Sequence, residues 1–126
     1  MMRVLLVEDS QLLRDSLMEM LSGCVHVKID DYATNKQEAI TLLDAKEYDF
    51  MIADIELAQG NGFEVVKHTM SPDYPFKRPL TLMLTNHTNG YFKNLANQLG
   101  VKYFYDKSMD FETAIQTIED ESKNFA

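Results

Sequence analysis

Arg3-Val4-Leu5-Leu6-Val7-Glu8-Asp9 runs through four consecutive apolar residues after Arg3 and stops on two acids. Unbroken apolar character over one strand length marks a parallel strand buried on both faces, whereas a strand with one wet face alternates. Working outward, a nearly continuous apolar run returns at Phe50–Asp54 and, interrupted by Thr81, at Leu80–Thr85, each ending on a polar residue. Val25–Asp30 alternates instead, with Val25, Val27 and Ile29 set against His26, Lys28 and Asp30, and Val101–Tyr105 carries Lys102. These two read as edge strands and the other three as interior ones. Segments of helical period separate them, so the chain is expected to be α/β, a doubly wound five-stranded parallel sheet of order 2-1-3-4-5.

The helical stripes are Leu13, Leu17, Met20 and Leu21, with the methionines as core and Gly23 closing the helix; Ala39, Leu42 and Leu43; Phe92, Leu95, Ala96 and Leu99; and Phe111, Ile115 and Ile118. A short third helix is expected from Gly62 to about Met70. Pro72, Pro75 and Pro79 make the stretch after it a loop. Asn86-His87-Thr88-Asn89-Gly90 offers turn chemistry, so the fourth helix should fray at its start. Glu119-Asp120-Glu121 reads as a solvated helix face.

With 126 residues against ~100–200 per domain, one domain over 1–126 is expected and any output module belongs to another protein. A net charge of −8 disfavours nucleic acid and anionic membrane as partners. The lone Cys24 forms no internal disulfide, Glu8 interrupts any signal-peptide apolar region, and no run approaches the ~18 apolar residues of a membrane span. A cytoplasmic address is therefore expected.

In a doubly wound sheet ligands bind beyond the carboxyl ends of the strands, at the switch between strands one and three. Those ends carry Glu8-Asp9, Asp54, Thr85 and Asp106-Lys107. Each has an ordinary reading: Asp9-Ser10 caps a helix, Asp54 starts a turn toward Gly60 and Gly62, and Lys107 is an exposed strand end. Gathered on one rim they are harder to explain structurally, because like charges within ~6 Å cost stability unless compensated. Glu8, Asp9 and Asp54 against Lys107 leave two negative charges over, which a divalent cation balances. Oxygen ligands with no nearby His or Cys point to Mg²⁺, with Mn²⁺ as the alternative. His26, His68 and His87 are surface residues with no partner at metal spacing.

These residues carry a resemblance. Val4-Leu5-Leu6-Val7-Glu8-Asp9, Asp54 after an apolar third strand, Gly62 eight residues later, Thr85 and Lys107 together resemble a response-regulator receiver domain of two-component signalling, of the stand-alone chemotaxis type, over essentially the whole chain. The resemblance implies a flavodoxin-like (βα)5 fold and transfer of a phosphoryl group from a histidine kinase or histidine phosphotransfer protein to Asp54. It implies Mg²⁺ held by Asp9, Asp54 and the backbone carbonyl of Glu56, with Glu8 acting through water. Lys107 pairs with the phosphoryl group, Thr85 hydrogen-bonds it, and Phe104 is the aromatic whose rotamer follows Thr85; its other reading is a half-buried edge-strand aromatic. A separate output protein, and a monomer or weak homodimer, are implied with no enzymatic turnover beyond self-catalysed phosphorylation and dephosphorylation.

The chain departs from the usual pattern at four places. Ser108 stands where proline is common, and a non-proline cis bond costs ~3 kcal/mol, which argues against the usual cis peptide. Asn86 and His87 narrow access to Asp54, Ala58 replaces another common proline, and Glu56 adds an acid beside the site. Three other readings stand beside this one. A degenerate receiver that only binds partners is expected to lack one of Asp9, Asp54 or Lys107. A haloacid-dehalogenase-type phosphatase carries its aspartate nucleophile on the first strand rather than the third. A flavin binder needs a phosphate loop that Glu8-Asp9 would repel.

Overall fold

The computed structural model describes residues 1–126. Its strands are β1 (Met2–Val7), β2 (Val27–Ala33), β3 (Phe50–Ala53), β4 (Leu80–Thr85) and β5 (Tyr103–Asp106), and its helices α1 (Gln11–Leu21), α2 (Lys36–Ala45), α3 (Gly62–Met70), α4 (Gly90–Gln98) and α5 (Phe111–Ser122), followed by a 3-10 turn at Lys123–Phe125. All neighbouring strands are parallel, in the order β2-β1-β3-β4-β5. The expected fold and strand order are therefore present.

Two apolar layers hold the sheet. Leu5, Val7, Met51, Ala53 and Met83 pack under α2, α3 and α4 through Ala39, Leu43, Val65, Val66 and Ala96. Val4, Leu6, Phe50, Ile52, Leu82 and Leu84 pack on the other face under α1 and α5 through Leu17, Leu21, Ala114 and Ile118. Successive residues of β1, β3 and β4 thus serve opposite cores, which is why those runs are nearly all apolar, with Thr81 the exception within β4 before the terminal Thr85.

The edge strands lie further along the chain than expected. β2 begins at Val27, and Val25 is 76% exposed in the turn after α1. The register slips between Val4 and Leu5, where the partner steps from Ile29 to Asp31. That one extra residue reverses the phase, so Val27 and Ile29 face one core and Ala33 the other. A strict alternation ends at the slip, which hid the second half of the strand. β5 begins at Tyr103 because Val101 still belongs to the end of α4: its N–H donates to Ala96 O, around Gly100 at φ +75°.

Three helix details also differ. Ser22, in right-handed conformation, caps α1, and Gly23 has no positive φ, so its freedom goes unused. Met20 is 49% exposed, because the buried arc centres on Leu17 and Leu21 and Met20 stands ~100° from Leu21; Met18 packs against the core in its place. Glu121 is buried rather than solvated. It accepts from Lys102 Nζ at 2.9 Å, Tyr103 OH at 2.9 Å and Asn124 at 3.2 Å, and the Lys102 ammonium chiefly holds its carboxyl below the usual range. The expected short α3 and the proline loop are as anticipated, and no helix is long and apolar enough to cross a membrane.

Candidate functional site

β1 and β3 are neighbours whose crossovers leave on opposite faces, so their carboxyl ends open a crevice between them. Ser10, in extended backbone, turns the chain into α1 and accepts from Leu13 N–H at 3.3 Å, which sets Glu8 and Asp9 at the crevice. Asp54 follows β3 directly; its N–H donates to Val7 O at 3.0 Å, tying the two strand ends together. Carboxylate oxygens of Glu8, Asp9 and Asp54 all lie within 4.8 Å of one another, with Glu8 and Asp54 buried and Asp9 exposed.

Lys107 enters this cluster from the end of β5, a half-buried ammonium 2.7 Å from Asp54 Oδ2 and 2.9 Å from Glu8 Oε1. The other Asp54 oxygen, Oδ1, accepts from Ile55 N–H at 2.7 Å. Desolvation pushes the Glu8 carboxyl above its ordinary value, outweighing the Ser10 N–H and the Lys107 charge that act the other way. Burial alone would lower Lys107, but hydrogen bonds and charge from Asp54 and Glu8 together hold it above the usual lysine value. One ammonium against three acids still leaves the cluster short of positive charge.

Thr85 ends β4 fully buried; its hydroxyl accepts from His87 N–H at 3.1 Å and its carbonyl accepts from Lys107 N–H at 3.0 Å. The side chain of Glu56 points away from the acids, 73% exposed, to His87 Nε2 at 2.8 Å. This pair joins the loops after β3 and β4 at the rim, and the His87 ring also meets Phe92 edge-on. His87 is thus a surface residue, as expected, with a specific partner. Phe104 lies half-buried on β5 against the α3 and α4 side of the core, away from the acids. No peptide bond is cis, Lys107–Ser108 included.

One residue at the site, Arg14, had no signal in the sequence, and a second, Asp106, was visible there only as a strand-end acid beside Lys107. Arg14 donates from Nη1 to Glu8 O at 3.0 Å while its guanidinium lies 4.4 Å over the Tyr32 ring, so it straps the acidic turn to β2. Asp106 gathers the turn that carries Lys107. Arg14 acts on a main-chain carbonyl and Asp106 on two main-chain amides and two hydroxyls, contacts that no residue spacing reveals. Chemically the site offers a buried carboxylate with one oxygen held by an amide and the other by a movable ammonium, beside an acid cluster able to take a cation.

Comparison with known proteins agrees with this fold. The chain is 32% identical over 109 residues to protein-glutamate methylesterase/protein-glutamine glutaminase 1 of Methanosarcina mazei, a match covering 86% of this chain but only 30% of that protein's length. Among solved structures, the response regulator domain of Thermotoga maritima CheB superposes with a TM-score of 0.81 at 22% identity, covering 98% of this chain and 94% of that one. The Mn²⁺-bound form of response regulator Rcp1 superposes with a TM-score of 0.75 at 21% identity, over 95% and 91% of the two chains. The response regulator receiver domain model matches residues 4–119, from β1 into α5, and with the acids and lysine gathered at the strand ends of that span the chain belongs to the receiver domain family of two-component signalling proteins.

Proposed function

We propose that the chain is a phosphoacceptor: Asp54 takes a phosphoryl group from a phosphohistidine on a histidine kinase or histidine phosphotransfer protein, and the modified domain then engages a separate output protein. The observation carrying this reading is the Asp54 carboxylate, 4% exposed at the end of the central strand, with the Lys107 ammonium 2.7 Å away. An Asp54 oxygen attacks phosphorus, the P–N bond to the donor imidazole breaks, and its electron pair leaves on the ring nitrogen. Lys107 exchanges Asp54 for the phosphoryl oxygens. The Thr85 hydroxyl, which now only accepts, has its proton left to donate.

The donor set fits a hard divalent cation, Mg²⁺ or Mn²⁺, because it is all oxygen and short of positive charge. Asp9, Asp54 and the Glu56 backbone carbonyl would hold it, with Glu8 behind them through water. When bound, it supplies positive charge against the phosphoryl oxygens. Mass spectrometry of the intact protein after acetyl phosphate with Mg²⁺ tests the reading: one phosphoryl increment is expected, and an unchanged mass overturns it.

Asp9→Asn is expected to weaken Mg²⁺ binding about tenfold by removing one of two direct carboxylates. It should also raise the metal-free melting temperature by a few degrees, because it relieves repulsion within the cluster. Calorimetric titration and thermal melts of both proteins check this. Equal affinity for wild type and variant removes Asp9 from the metal site.

The surface that reports phosphorylation is α4, β5 and α5. Residues 86–89 lie outside any helix and are exposed, and α4 starts only at Gly90, capped by Asn89 accepting from Phe92 N–H at 3.1 Å, with no acidic residue in its first turn. The aromatic contacts at this start are Phe92 stacked on Phe63 at 5.9 Å and the His87 ring edge-on to Phe92. A groove of about 320 Å³ runs between α4 and β5, lined by Lys93, Asn97, Val101 and Phe104 among others. Drawing Thr85 toward Asp54 vacates space for Phe104 and biases this weakly nucleated helix, and a few kcal/mol suffice to change the dominant population. Hydrogen exchange with and without a beryllofluoride adduct is expected to change over residues 86–107. Changes confined to the loops of Asp9 and Asp54 overturn the coupling and leave a passive phosphoryl carrier.

A further inference from the structure

Lys107 reaches Asp54 and Glu8 from a loop that packing does not hold. Ser108 and Met109 are exposed, Met109 by 82%, and a lysine side chain brings four rotatable bonds of its own. What fixes the loop is the residue before it. Asp106 Oδ1 accepts from Ser108 N–H at 2.8 Å, Ser108 Oγ at 2.7 Å and Met109 N–H at 3.0 Å, while Oδ2 accepts from Thr88 Oγ1 at 3.2 Å. Its own N–H donates to Asp110 Oδ2 at 3.0 Å, and Asp110 N–H returns to Asp106 O at 3.0 Å. Lys107 N–H is meanwhile spent on Thr85 O.

We infer that Asp106 is a positioning residue for Lys107, its carboxylate folding the trans Lys107–Ser108 turn so that the ammonium meets Asp54, and joining that turn to the Thr88 loop that follows Thr85. Four donors converge on this one carboxylate, three from Ser108 and Met109 of its own turn and one from Thr88 across the loop. They hold its carboxyl at about 2, the Ser108 hydroxyl chief among them and the Met109 and Ser108 amides next. Charge alone is not the device, because Asp106 makes no bond to the Lys107 ammonium it would otherwise neutralise; the shape of the turn is. The inference rests on the phosphoacceptor reading of Asp54.

The test compares Asp106→Ala, Asp106→Asn and Asp106→Glu in the full chain. A misplaced catalytic group by ~1 Å costs up to ~100-fold, so Asp106→Ala is expected to slow phosphorylation by acetyl phosphate about tenfold with Mg²⁺ affinity unchanged. Asp106→Asn should recover most of the rate, because the amide oxygen still accepts the two backbone N–H groups and its NH₂ can donate to Thr88. Asp106→Glu keeps the charge, moves the oxygens, and should be as slow as Ala; it also serves if the Ala variant does not fold. On a Lys107→Ala background Asp106→Ala should cost nothing further. Independently of any phosphoryl donor, the ¹⁵N signal of the Lys107 ammonium should broaden in the Ala variant and return in the Asn variant.

A wild type that gains no phosphoryl group sinks the phosphoacceptor reading, and the ¹⁵N comparison then still decides the positioning role. A phosphorylated wild type with an equally fast Asp106→Ala, an equal loss on the Lys107→Ala background, or a fast Asp106→Glu overturns the positioning role alone.

Discussion

Asp54→Asn is expected to abolish the phosphoryl increment, slowing its appearance by on the order of 10³-fold or more, because an amide offers no nucleophilic oxygen to phosphorus. The substitution is close to isosteric. Its amide oxygen can still accept from Ile55 N–H, as Oδ1 does at 2.7 Å, and Lys107 keeps Glu8 at 2.9 Å. The acid cluster loses one charge of three, which relieves repulsion, so the variant should fold at least as stably as wild type. Loss of reaction without loss of fold is therefore the expected pairing. Time-resolved intact mass together with a thermal melt reads both, and a variant that gains the increment at the wild-type rate removes Asp54 as the acceptor.

The second large effect lies in the turn that supports Asp54. A Cβ at Gly62 would stand 2.0 Å from Asp54 O and 2.9 Å from Asp54 C, both backbone atoms, and 3.0 Å from Met83 Cε. Neither backbone atom can yield cheaply. Asp54 is tied to Val7 by a 3.0 Å hydrogen bond, and Gly62 N–H donates to Ile55 O at 2.8 Å across the loop that returns to α3. Gly62→Ala is expected to cost about 3 kcal/mol, in the range of overpacking that moves backbone, and to lower the melting temperature by roughly 10 °C. Because the displaced atom is the carbonyl of the acceptor residue, phosphorylation should slow as well. Gly23→Ala is the control: nothing lies within 4 Å of the added methyl and φ is not positive, so it should be neutral or stabilising by about 0.5 kcal/mol. Equal melting temperatures for the two variants would show that the Gly62 contact is not rigid.

This close approach explains a spacing that the sequence displayed without its reason. Gly62 eight residues after Asp54 could be read as part of the family resemblance, while the lack of room for any side chain beside the Asp54 carbonyl needs the loop closed. The rim behaves similarly. Asn86 and His87 were read as narrowing access to Asp54, and the fold adds that His87 closes on Glu56 across 31 residues of sequence. With 44% and 73% of the two side chains exposed, that pair contributes little stability. Its consequence is to hold two loops together at the mouth of the crevice.

What the sequence determined by itself was whatever hydrophobic burial encodes locally. The nearly continuous apolar runs of β1, β3 and β4 specified interior parallel strands, because only a strand covered on both faces hides its side chains on both, and parallel order then placed Asp54, Thr85 and Lys107 at one rim. Tertiary structure decided what depends on a single residue of register or on partners far apart in the chain. One slipped residue opposite Val4 and Leu5 turned Ala33 to the other core, and α5 packed beside β5 buried Glu121 against Lys102 and Tyr103 where charge pattern alone reads as solvated. Arg14 on the Glu8 carbonyl and Asp106 on Thr88, 18 residues away, bind through backbone and loop geometry. Such bonds leave no periodicity behind, so they exist as information only once the sheet has brought the loops together.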